Sequence, residues 1–353
     1  MGTSSEKSIL QTIKACFADR IADGALAFGD DAAVLTATRD GARRVLTTDA
    51  IQEELDFVIG LGPLESIGWR IISQNVSDLA AMGADPVGFV WSLTVPQRWL
   101  VNASDWLLAF CRGASRAAAH YGIDLYGGDL SSSQGLFHCS VTAWGDVVGE
   151  PLSRSGAQLH DRICVSRPVG ASARGLDILL QARAELSRPQ ENRDAKEIQT
   201  DFDAFFHGRN AFDQAALEAH LWPKAERELG PALVGRASSC MDISDGLGID
   251  LSRLCAASQA GALLRDWTPV SFSASRGPKG MEAEADLGSG EEYSLLFTVA
   301  PDVDMARLRT VAPSLCVIGE IVEGQGMYVS DGDERRTLSA QGWDHFSGAN
   351  ADS

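Results

Sequence analysis

The sequence lacks the run of about 18 consecutive apolar residues that a membrane-spanning helix would need. Its short polar N-terminus is not followed by the apolar stretch of a secretory signal. The seven cysteines are odd in number and widely spaced, with no Cys-x-x-Cys pair, which argues against a disulfide framework or a zinc site. We therefore expect a soluble, cytoplasmic protein whose cysteines are buried free thiols.

Basic residues are also scarce: 30 Lys and Arg stand against 48 Asp and Glu, giving a formal net charge of −18. Such a surface repels nucleic acids and anionic membranes, so neither is expected as a partner. A polyphosphate could bind if cations mediate the contact, although solubility alone would explain most of these charges. The sequence contains no Gly-x-x-x-x-Gly-Lys-Ser/Thr loop and no His-Arg-Asp kinase signature, so any ATP must bind by another route.

Length and hydrophobic periodicity predict an α+β protein of two domains, because 353 residues exceed one typical core. In the first half, helical spacing runs from Gly62 to Met82 and near Ala103–Tyr121, and strand patterns occur at Arg44–Thr48, Val87–Val95, Asp124–Tyr126 and His138–Val148. The pattern restarts near residue 150, with strands predicted at Arg162–Val165, Leu295–Val299 and Val317–Ile321. We place the boundary at residue 152, so that the domains are residues 1–152 and 153–353.

Four further segments carry local predictions. Residues 8–20 show the spacing of a short amphipathic helix, and further helices are predicted at 174–182 and near 231–238. Residues 183–211 are dense in charged and amide side chains, which is typical of a solvated insertion.

Five acidic motifs are spread over both halves of the chain: Gly29-Asp30-Asp31, Thr47-Thr48-Asp49, Asn75-Val76-Ser77-Asp78, Gly127-Gly128-Asp129 and Met241-Asp242-Ile243-Ser244-Asp245-Gly246. Each one alone has an ordinary alternative as a turn, a hairpin, a buried polar pair or a helix N-cap. Carboxylate and hydroxyl oxygens are nevertheless the hard ligands that Mg²⁺ prefers. One multimetal phosphate site explains the five together better than five unrelated turns do.

The patterns also predict where the motifs lie. Thr47–Asp49 and Gly127–Asp129 are each expected at the end of a strand, where the two glycines would let a phosphate approach the backbone. Asp78 is expected on a partly buried helix face. The motif at 242–246 precedes a helical run, and helix N-termini favour phosphate.

In this order the motifs resemble those of the thiamine-monophosphate kinases, which share a superfamily with aminoimidazole-ribonucleotide synthetase and selenophosphate synthetase. The resemblance covers nearly the whole chain and includes Ser153–Ala157, Gly170–Leu176, Glu291–Phe297 and Gly342–Phe346. It implies an N-terminal α/β domain whose mixed sheet pairs across a homodimer, and a second α/β domain that completes a cleft. ATP and thiamine monophosphate would meet there, and the γ-phosphoryl group would pass directly to the substrate phosphate.

The resemblance also implies residue roles. Several Mg²⁺ ions would be held by Asp30, Thr47, Thr48, Asp49, Asp78, Asp129, Asp242 and Asp245. ATP would contact Gly128, Asp129, Arg154 and Ser244, and the substrate would contact Asp56, Glu291 and Trp343. Trp343 is otherwise a packed aromatic beside Phe346. No side chain is expected to act covalently, because positioning and metal electrostatics suffice for phosphoryl transfer.

Three of the departures from the pattern that is usual in the resembled family concern the acceptor. Asp56 stands where a substrate-binding His is usual, Ser294 stands where a Glu is usual, and Glu226 interrupts a Pro-x-Pro-Arg segment. Two alternatives therefore stay open. One is a related ATP-dependent enzyme that acts on another small phosphorylated acceptor. The other is a catalytically silent nucleotide-binding or scaffold protein, although clustered repulsive carboxylates argue against it.

Overall fold

The computed structural model describes residues 30, 32–34, 42–101, 104–186, 193–265, 286–331, 334–339 and 342. The helix predicted over residues 8–20 lies outside these ranges, as does Trp343. Within them, all six cysteines are free thiols, as predicted. No helix in the described part of the chain is long and apolar enough to span a membrane.

The first half of the chain forms a mixed five-stranded sheet in the order β1-β2-β5-β3-β4. Its strands are β1 (Ala33–Val34), β2 (Arg43–Gln52), β3 (Asp85–Pro96), β4 (Asp124–Ser133) and β5 (His138–Val147). Neighbours are antiparallel except for the parallel pair β3 and β4. The mixed sheet expected from the sequence is thus confirmed, and β4 forms one of its edges.

Three helices belong to this half: α1 (Leu64–Ala81), α2 (Gln97–Val101) and α3 (Ser104–Tyr121). Most of α1 is buried. It packs backbone to backbone on α3, and the contact requires a glycine at 113, where a Cβ would stand only 1.7 Å from the carbonyl oxygen of Glu65. Beneath them, Trp99 stacks on Phe137 with ring centroids 4.3 Å apart. This core holds α1, a source of several site residues, in a fixed position against the sheet.

The second half forms a seven-stranded sheet in the order β12-β11-β8-β10-β6-β9-β7. Its strands are β6 (Arg162–Val165), β7 (Ala237–Asp242), β8 (Gly261–Leu264), β9 (Leu295–Val299), β10 (Cys316–Val322), β11 (Gly326–Asp331) and β12 (Glu334–Leu338). All neighbours are antiparallel except β8 and β11. The strands predicted at Arg162–Val165 and Leu295–Val299 have the observed bounds. Together the two halves confirm an α+β protein with two mixed sheets.

The helices of the second half are α4 (Ala171–Gln181), α5 (Arg183–Leu186), α6 (Ala195–His207), α7 (Ala211–Leu221), α8 (Leu229–Leu233), α9 (Leu247–Ser258) and α10 (Met305–Arg309). The prediction of a solvated insertion at 183–211 was wrong. The described part of this segment is largely helical, and it buries Leu186, Ile198 and Phe202, because the charged residues occupy only the outer faces of amphipathic helices.

The helix predicted near 231–238 was also misplaced, since α8 ends at Leu233 and Ala237 already begins β7. The two halves meet along α1: a Cβ at Gly230 would stand 2.3 Å from the carbonyl oxygen of Ala80. The polypeptide passes from the first sheet to the second between Val147 and Arg162. A domain boundary at residue 152 within this segment stays a prediction.

Candidate active site

A cavity of about 500 Å³ lies where α1, β2 and β7 come together. Segments from both halves of the chain form its walls. The lining residues used below are Asp49, Leu55, Asp56, Asp78, Ser172, Leu176, His220, Asp242, Ser244, Asp245, Glu291, Tyr293 and Gly342. The fold therefore brings seven of the predicted site residues to one cavity: Asp49, Asp56, Asp78, Asp242, Ser244, Asp245 and Glu291.

Hydroxyl groups orient two carboxylates at one end of the cavity. Thr47 Oγ1 donates to Asp78 Oδ2 at 2.5 Å. Ser77 Oγ donates to Asp242 Oδ2 at 2.7 Å, a contact between residues 165 positions apart. Each hydroxyl holds one carboxylate oxygen, which fixes the direction of the other. We name Asp49, Asp78, Asp242 and Asp245 the acidic end of the cavity.

Thr48 does not share this arrangement. The motif Thr47–Asp49 lies within β2 and not at its end, which corrects the sequence-based placement. Successive side chains of a strand point to opposite faces, so Thr47 and Asp49 share one face and Thr48 takes the other. The Thr48 hydroxyl donates to the carbonyl oxygen of Val141 at 3.0 Å. Its predicted part in metal binding stays a prediction without support from this placement.

Gly128 and Asp129 also lie inside a strand, β4, and not at a strand end as expected. Asp129 of β4 pairs with Ser92 of the neighbouring strand β3. Ala50 of β2 lies two strands further across the sheet, beyond β5. Three spacings of about 4.8 Å put Asp129 about 14 Å from Ala50. A Cβ at Gly128 would stand 2.1 Å from the carbonyl oxygen of Trp91, so this glycine is required for strand packing. Neither residue lines the cavity.

Asp30 and Arg154 are brought together, but away from the cavity lining. The backbone N–H of Arg154 lies 3.2 Å from each carboxylate oxygen of Asp30. The Arg154 guanidinium adds a longer ion pair, with Nε 3.9 Å from Asp30 Oδ1. The pair joins the segment before β1 to the chain that follows the first sheet.

The loop from β7 to α9 is organised by Asp250, which the sequence motifs did not indicate. Its Oδ2 accepts from the backbone N–H groups of Ser244, Asp245 and Gly246 at 3.1–3.2 Å. Its Oδ1 accepts from Arg253 Nη1 at 2.8 Å, and the same nitrogen contacts Asp245 Oδ2 at 2.5 Å. Burial raises the pKa of Asp250 to about 7. The N-terminus of α9 is thus filled by the chain's own carboxylate, and neither Ser244 nor Asp245 is its N-cap.

The N-terminus of α4 is filled in the same way. The buried carboxylate of Glu292 accepts from the backbone N–H of Gly170 at 2.7 Å and of Ser172 at 3.2 Å. Ser289 Oγ donates to the same oxygen at 2.5 Å. Burial raises the pKa of Glu292 overall, although these hydrogen bonds act in the opposite direction. Neither helix start beside the cavity is open to phosphate, so a polyphosphate there would depend on cations for its neutralisation.

The other end of the cavity has a different character, and we name it the acceptor end. The ion pair of Arg70 Nη2 with Glu291 Oε1 stands beside it. His220 Nδ1 lies 3.5 Å from Glu291 Oε2. Asp56 and the exposed side chains of Leu55 and Leu176 complete this end. Arg70 precedes Asp78 on α1 by eight residues, which is about 12 Å along a helix, so the group around Arg70 lies apart from the acidic end. The cavity is therefore acidic at one end, and combines carboxylates with apolar surface at the other.

Two of the three departures lie away from the cavity. Ser294 is fully buried and does not line it. Glu226 pairs with Arg167 Nη1 at 2.6 Å outside the lining. Only Asp56 stands at the cavity, where its Oδ2 accepts from the backbone N–H of Gln52 at 2.7 Å. Trp343 cannot be placed among the described residues, although Gly342 before it lines the cavity.

No group of three or more His, Cys, Asp or Glu side chains suited to one metal ion occurs within the described residues. The donor set of the acidic end nevertheless suits Mg²⁺. Its oxygen ligands are carboxylates from three separate elements, and Mg²⁺ commonly takes one or two protein carboxylates and completes its shell with water and phosphate oxygens. Among the described residues that line the cavity there is no lysine that could take the place of the ions.

Comparisons with known proteins identify the family of the chain. Residues 29–147 match the family model "AIR synthase related protein, N-terminal domain". A thiamine-monophosphate kinase of Haemophilus influenzae is 30% identical over 333 residues, which span 91% of this chain and 92% of the relative. One of Synechococcus elongatus is 32% identical over 90% of this chain and 91% of the relative.

The chain belongs to the thiamine-monophosphate kinase family. A solved structure described as "AaThiL complexed with AMPPCP and TMP" has the same fold, with a TM-score of 0.75 and 27% identity over 97% of each chain. The family resemblance of the acidic motifs is therefore confirmed over nearly the whole length. The roles of the individual residues stay predictions of the family pattern.

Two residues of the thiamine-monophosphate kinase fold, Arg70 and His220, were given no role at the site by the sequence reasoning. Neither belongs to an acidic motif, and each contacts Glu291 from a distant part of the chain. The sequence contains one indication for Arg70: it is a cation on a helix face that is otherwise mostly apolar, and a buried cation needs a partner. His220 had none in the local sequence.

Proposed function

We propose that this chain transfers the γ-phosphoryl group of ATP to the phosphate of thiamine monophosphate, giving thiamine diphosphate and ADP. The single observation that carries the proposal is the two-ended cavity. Its acidic end suits Mg²⁺-bound phosphates, and its acceptor end suits the remainder of the acceptor. The family relatives named as thiamine-monophosphate kinases, and the related structure with AMPPCP and TMP, support this assignment.

The acceptor end suits a cationic ring system. Thiamine monophosphate carries a thiazolium ring with one permanent positive charge, attached to an aromatic aminopyrimidine whose ring faces can take apolar contacts. The carboxylates of Asp56 and Glu291 offer electrostatic attraction, and Leu55 and Leu176 offer apolar contact. In this orientation the phosphate of the acceptor points toward the acidic end, where the γ-phosphoryl group of ATP is expected. We propose that Trp343 contributes an aromatic face to the same ring system.

The transfer needs positioning and charge neutralisation more than proton transfer. A phosphate monoester with a second pKa of about 6 is already largely dianionic at neutral pH, so its attacking oxygen needs no general base. When bound, several Mg²⁺ ions would offset the repulsion between the two phosphate groups, held by Asp49, Asp78, Asp242 and Asp245. Thr47 and Ser77 keep two of these carboxylates oriented. Ser244 lies beside them for contact with ATP.

We propose that the enzyme is a homodimer that covers β4. Nine of its ten residues are exposed, including the apolar side chains of Leu125, Tyr126 and Leu130. An edge strand with exposed apolar residues is normally covered by a partner. The second copy offers a role for Gly128 and Asp129, which lie too far from the cavity of their own chain. We propose that they act in the cavity of the neighbouring copy.

Subunit mixing tests this arrangement. Asp129→Asn and Asp78→Asn chains are each expected to be inactive as homodimers. After unfolding and refolding of an equal mixture, half of the dimers carry one chain of each kind, and one of their two sites is intact. About a quarter of the wild-type activity should therefore return. No recovery in a mixture shown to contain mixed dimers would place Asp129 in the site of its own chain or in neither.

The main assay combines purified protein, MgATP and thiamine monophosphate, and measures thiamine diphosphate by the fluorescence of its oxidised form. Asp49→Asn is expected to abolish product formation while leaving the fold intact. Asp146→Asn is the matched control, because Asp146 lies in the same sheet, pairs with Arg44 and does not line the cavity. Normal activity of Asp49→Asn would refute the metal assignment. Product formation by wild type should stop when EDTA removes Mg²⁺.

Asp56 supports one alternative, a related phosphotransferase that acts on another small phosphorylated acceptor. This residue lines the acceptor end and is the only one of the three departures that does. Mg²⁺-dependent ATP binding without thiamine diphosphate formation would favour that alternative. The absence of Mg²⁺-dependent ATP binding would leave a silent nucleotide-binding or scaffold protein. The cytoplasmic location stays a prediction.

A further inference from the structure

Arg70 is a buried cation that joins two walls of the cavity. It lies on α1 with only 3% of its surface exposed. One guanidinium nitrogen, Nη2, pairs with Glu291 Oε1, and the other, Nη1, donates to the backbone carbonyl oxygen of Asp56 at 3.2 Å. Burial lowers the pKa of Arg70, but attraction by Glu291 and Tyr293 outweighs it and raises the pKa overall, so the guanidinium stays charged. Arg70 thus fixes both the carboxylate and the loop of the acceptor end.

Glu291 is held by its backbone as well as by its side chain. Its φ of 56° lies in the left-handed region, which a residue with a side chain adopts at a cost. Its N–H donates to the carbonyl oxygen of Ser244 at 2.6 Å, which ties the acceptor end to the loop of the acidic end. Tyr293 shares the unusual conformation, with a φ of 51°. A backbone held in this way sets the direction in which the Glu291 carboxylate leaves the chain.

His220 stands on the opposite side of the same carboxylate. Its Nδ1 lies 3.5 Å from Glu291 Oε2 and 3.1 Å from Ser172 Oγ. Burial lowers the pKa of His220 to about 4, although Glu291 acts to raise it. The ring is therefore neutral at physiological pH. One oxygen of Glu291 meets a cation and the other meets a neutral imidazole.

The charges at the acceptor end can be summed. Arg70 balances Glu291, His220 adds no charge, and Asp56 contributes one negative charge. A protonated imidazole would cancel that charge and remove the attraction for a cation. The neutral state of His220 therefore leaves this end with a net charge suited to one positive ring.

We propose that Arg70 and His220 are positioning residues that fix the Glu291 carboxylate from its two sides so that it receives the cationic ring of the acceptor. This inference rests on the proposed function, because it assigns the recognition of the thiazolium cation to Glu291. Neither Arg70 nor His220 takes part in phosphoryl transfer itself. Their effect is confined to the acceptor.

A purely structural role for Arg70 makes a different prediction. If the ion pair only joined the two walls, its loss would lower stability and weaken ATP and acceptor binding alike. If the ion pair positions Glu291, its loss should weaken the binding of the acceptor and leave ATP binding unchanged. The distinguishing measurement is therefore the KM for thiamine monophosphate against the KM for ATP, read beside the thermal midpoint.

The experiment compares Arg70→Lys, His220→Ala, His220→Asn and Glu291→Gln with wild type. Affinity for thiamine monophosphate is measured by calorimetry without ATP, and both KM values are measured in the fluorescence assay for thiamine diphosphate. Arg70→Lys and His220→Ala should weaken acceptor affinity at least fivefold while the KM for ATP changes less than twofold. His220→Asn should restore much of the loss, because its amide nitrogen can occupy the position of Nδ1. Arg70→Lys keeps the charge, so the test does not depend on a buried uncompensated carboxylate.

A double-variant comparison completes the test. Once Glu291→Gln is present, adding Arg70→Lys should cost little further acceptor affinity, because the group that Arg70 positions is no longer charged. Additive losses, or equal changes in both KM values, would overturn the proposal. Unchanged acceptor affinity in Arg70→Lys and His220→Ala would overturn it as well, while leaving the proposed function intact. Failure of the wild type to bind thiamine monophosphate would refute the proposed function, and this inference with it.

Discussion

The buried neutral state of His220 should appear directly in the pH dependence of stability. Burial lowers its pKa from 6.5 to about 4 on folding. Between these values the unfolded chain binds a proton that the folded chain does not. Stability therefore rises with pH over this window, and the His220 contribution is lost as the pH falls below 6.5 toward 4. Replacing His220 with Asn removes the titrating group while keeping a polar side chain.

The magnitude follows from the two pKa values. The cost of folding with a neutral imidazole is RT ln[(1 + 10^(pKa unfolded − pH))/(1 + 10^(pKa folded − pH))]. At pH 5.0 this expression gives about 2 kcal/mol, and at pH 7.5 it is close to zero. Wild type should therefore lose about 2 kcal/mol more than His220→Asn over that interval. Because His220 is almost fully buried, solvent screening does not reduce this figure.

The assay is urea unfolding of both proteins at several pH values between 7.5 and 5.0, without ligands. The difference between their free energies of unfolding at pH 7.5 gives the pH-independent cost of the substitution. The change in that difference with pH isolates His220, because every other titrating group is common to both proteins. Parallel curves, with a constant difference over the whole interval, would refute the buried neutral imidazole.

Three further predictions concern packing, orientation and assembly. Gly113→Ala should lower the free energy of unfolding by about 3 kcal/mol or more, because its Cβ would meet the Glu65 carbonyl oxygen between α1 and α3. The control Ser115→Ala, on the exposed face of α3, should change it by less than about 0.5 kcal/mol. Ser77→Ala should lower kcat at least tenfold, because Asp242 loses the hydroxyl that orients it. The control Ser73→Ala, on the same helix, should lower stability without that loss of kcat. Equal kcat values in the two variants would contradict the orienting role of Ser77. Leu130→Asp should shift the protein toward monomer in sedimentation, while Leu159→Asp, also exposed but outside β4, should not.

Local patterns predicted much of the fold because they depend on neighbouring residues. The 3.6-residue spacing between Gly62 and Met82 predicted α1 nearly to the residue, and the short strand pattern at Arg162–Val165 predicted β6. The high charge density at 183–211 led to the wrong prediction of a solvated insertion, because the charged residues occupy only the outer faces of helices whose other faces are buried. The prediction that the glycines at 127–128 follow a strand was wrong, because both lie inside β4, where Gly128 allows close packing on the neighbouring strand.

The sequence by itself determined the identity of the acidic motifs, their order and the family to which they belong, because these are properties of residue type and spacing. Only the tertiary structure decided which oxygens face one another. Ser77 contacts Asp242 across 165 positions, Arg70 contacts Glu291 across 221, and the Thr48 hydroxyl contacts Val141 across 93. Glu292 reaches the N-terminus of α4 across 122 positions. Pairings between positions so far apart depend on how the whole chain folds, so no local segment encodes them.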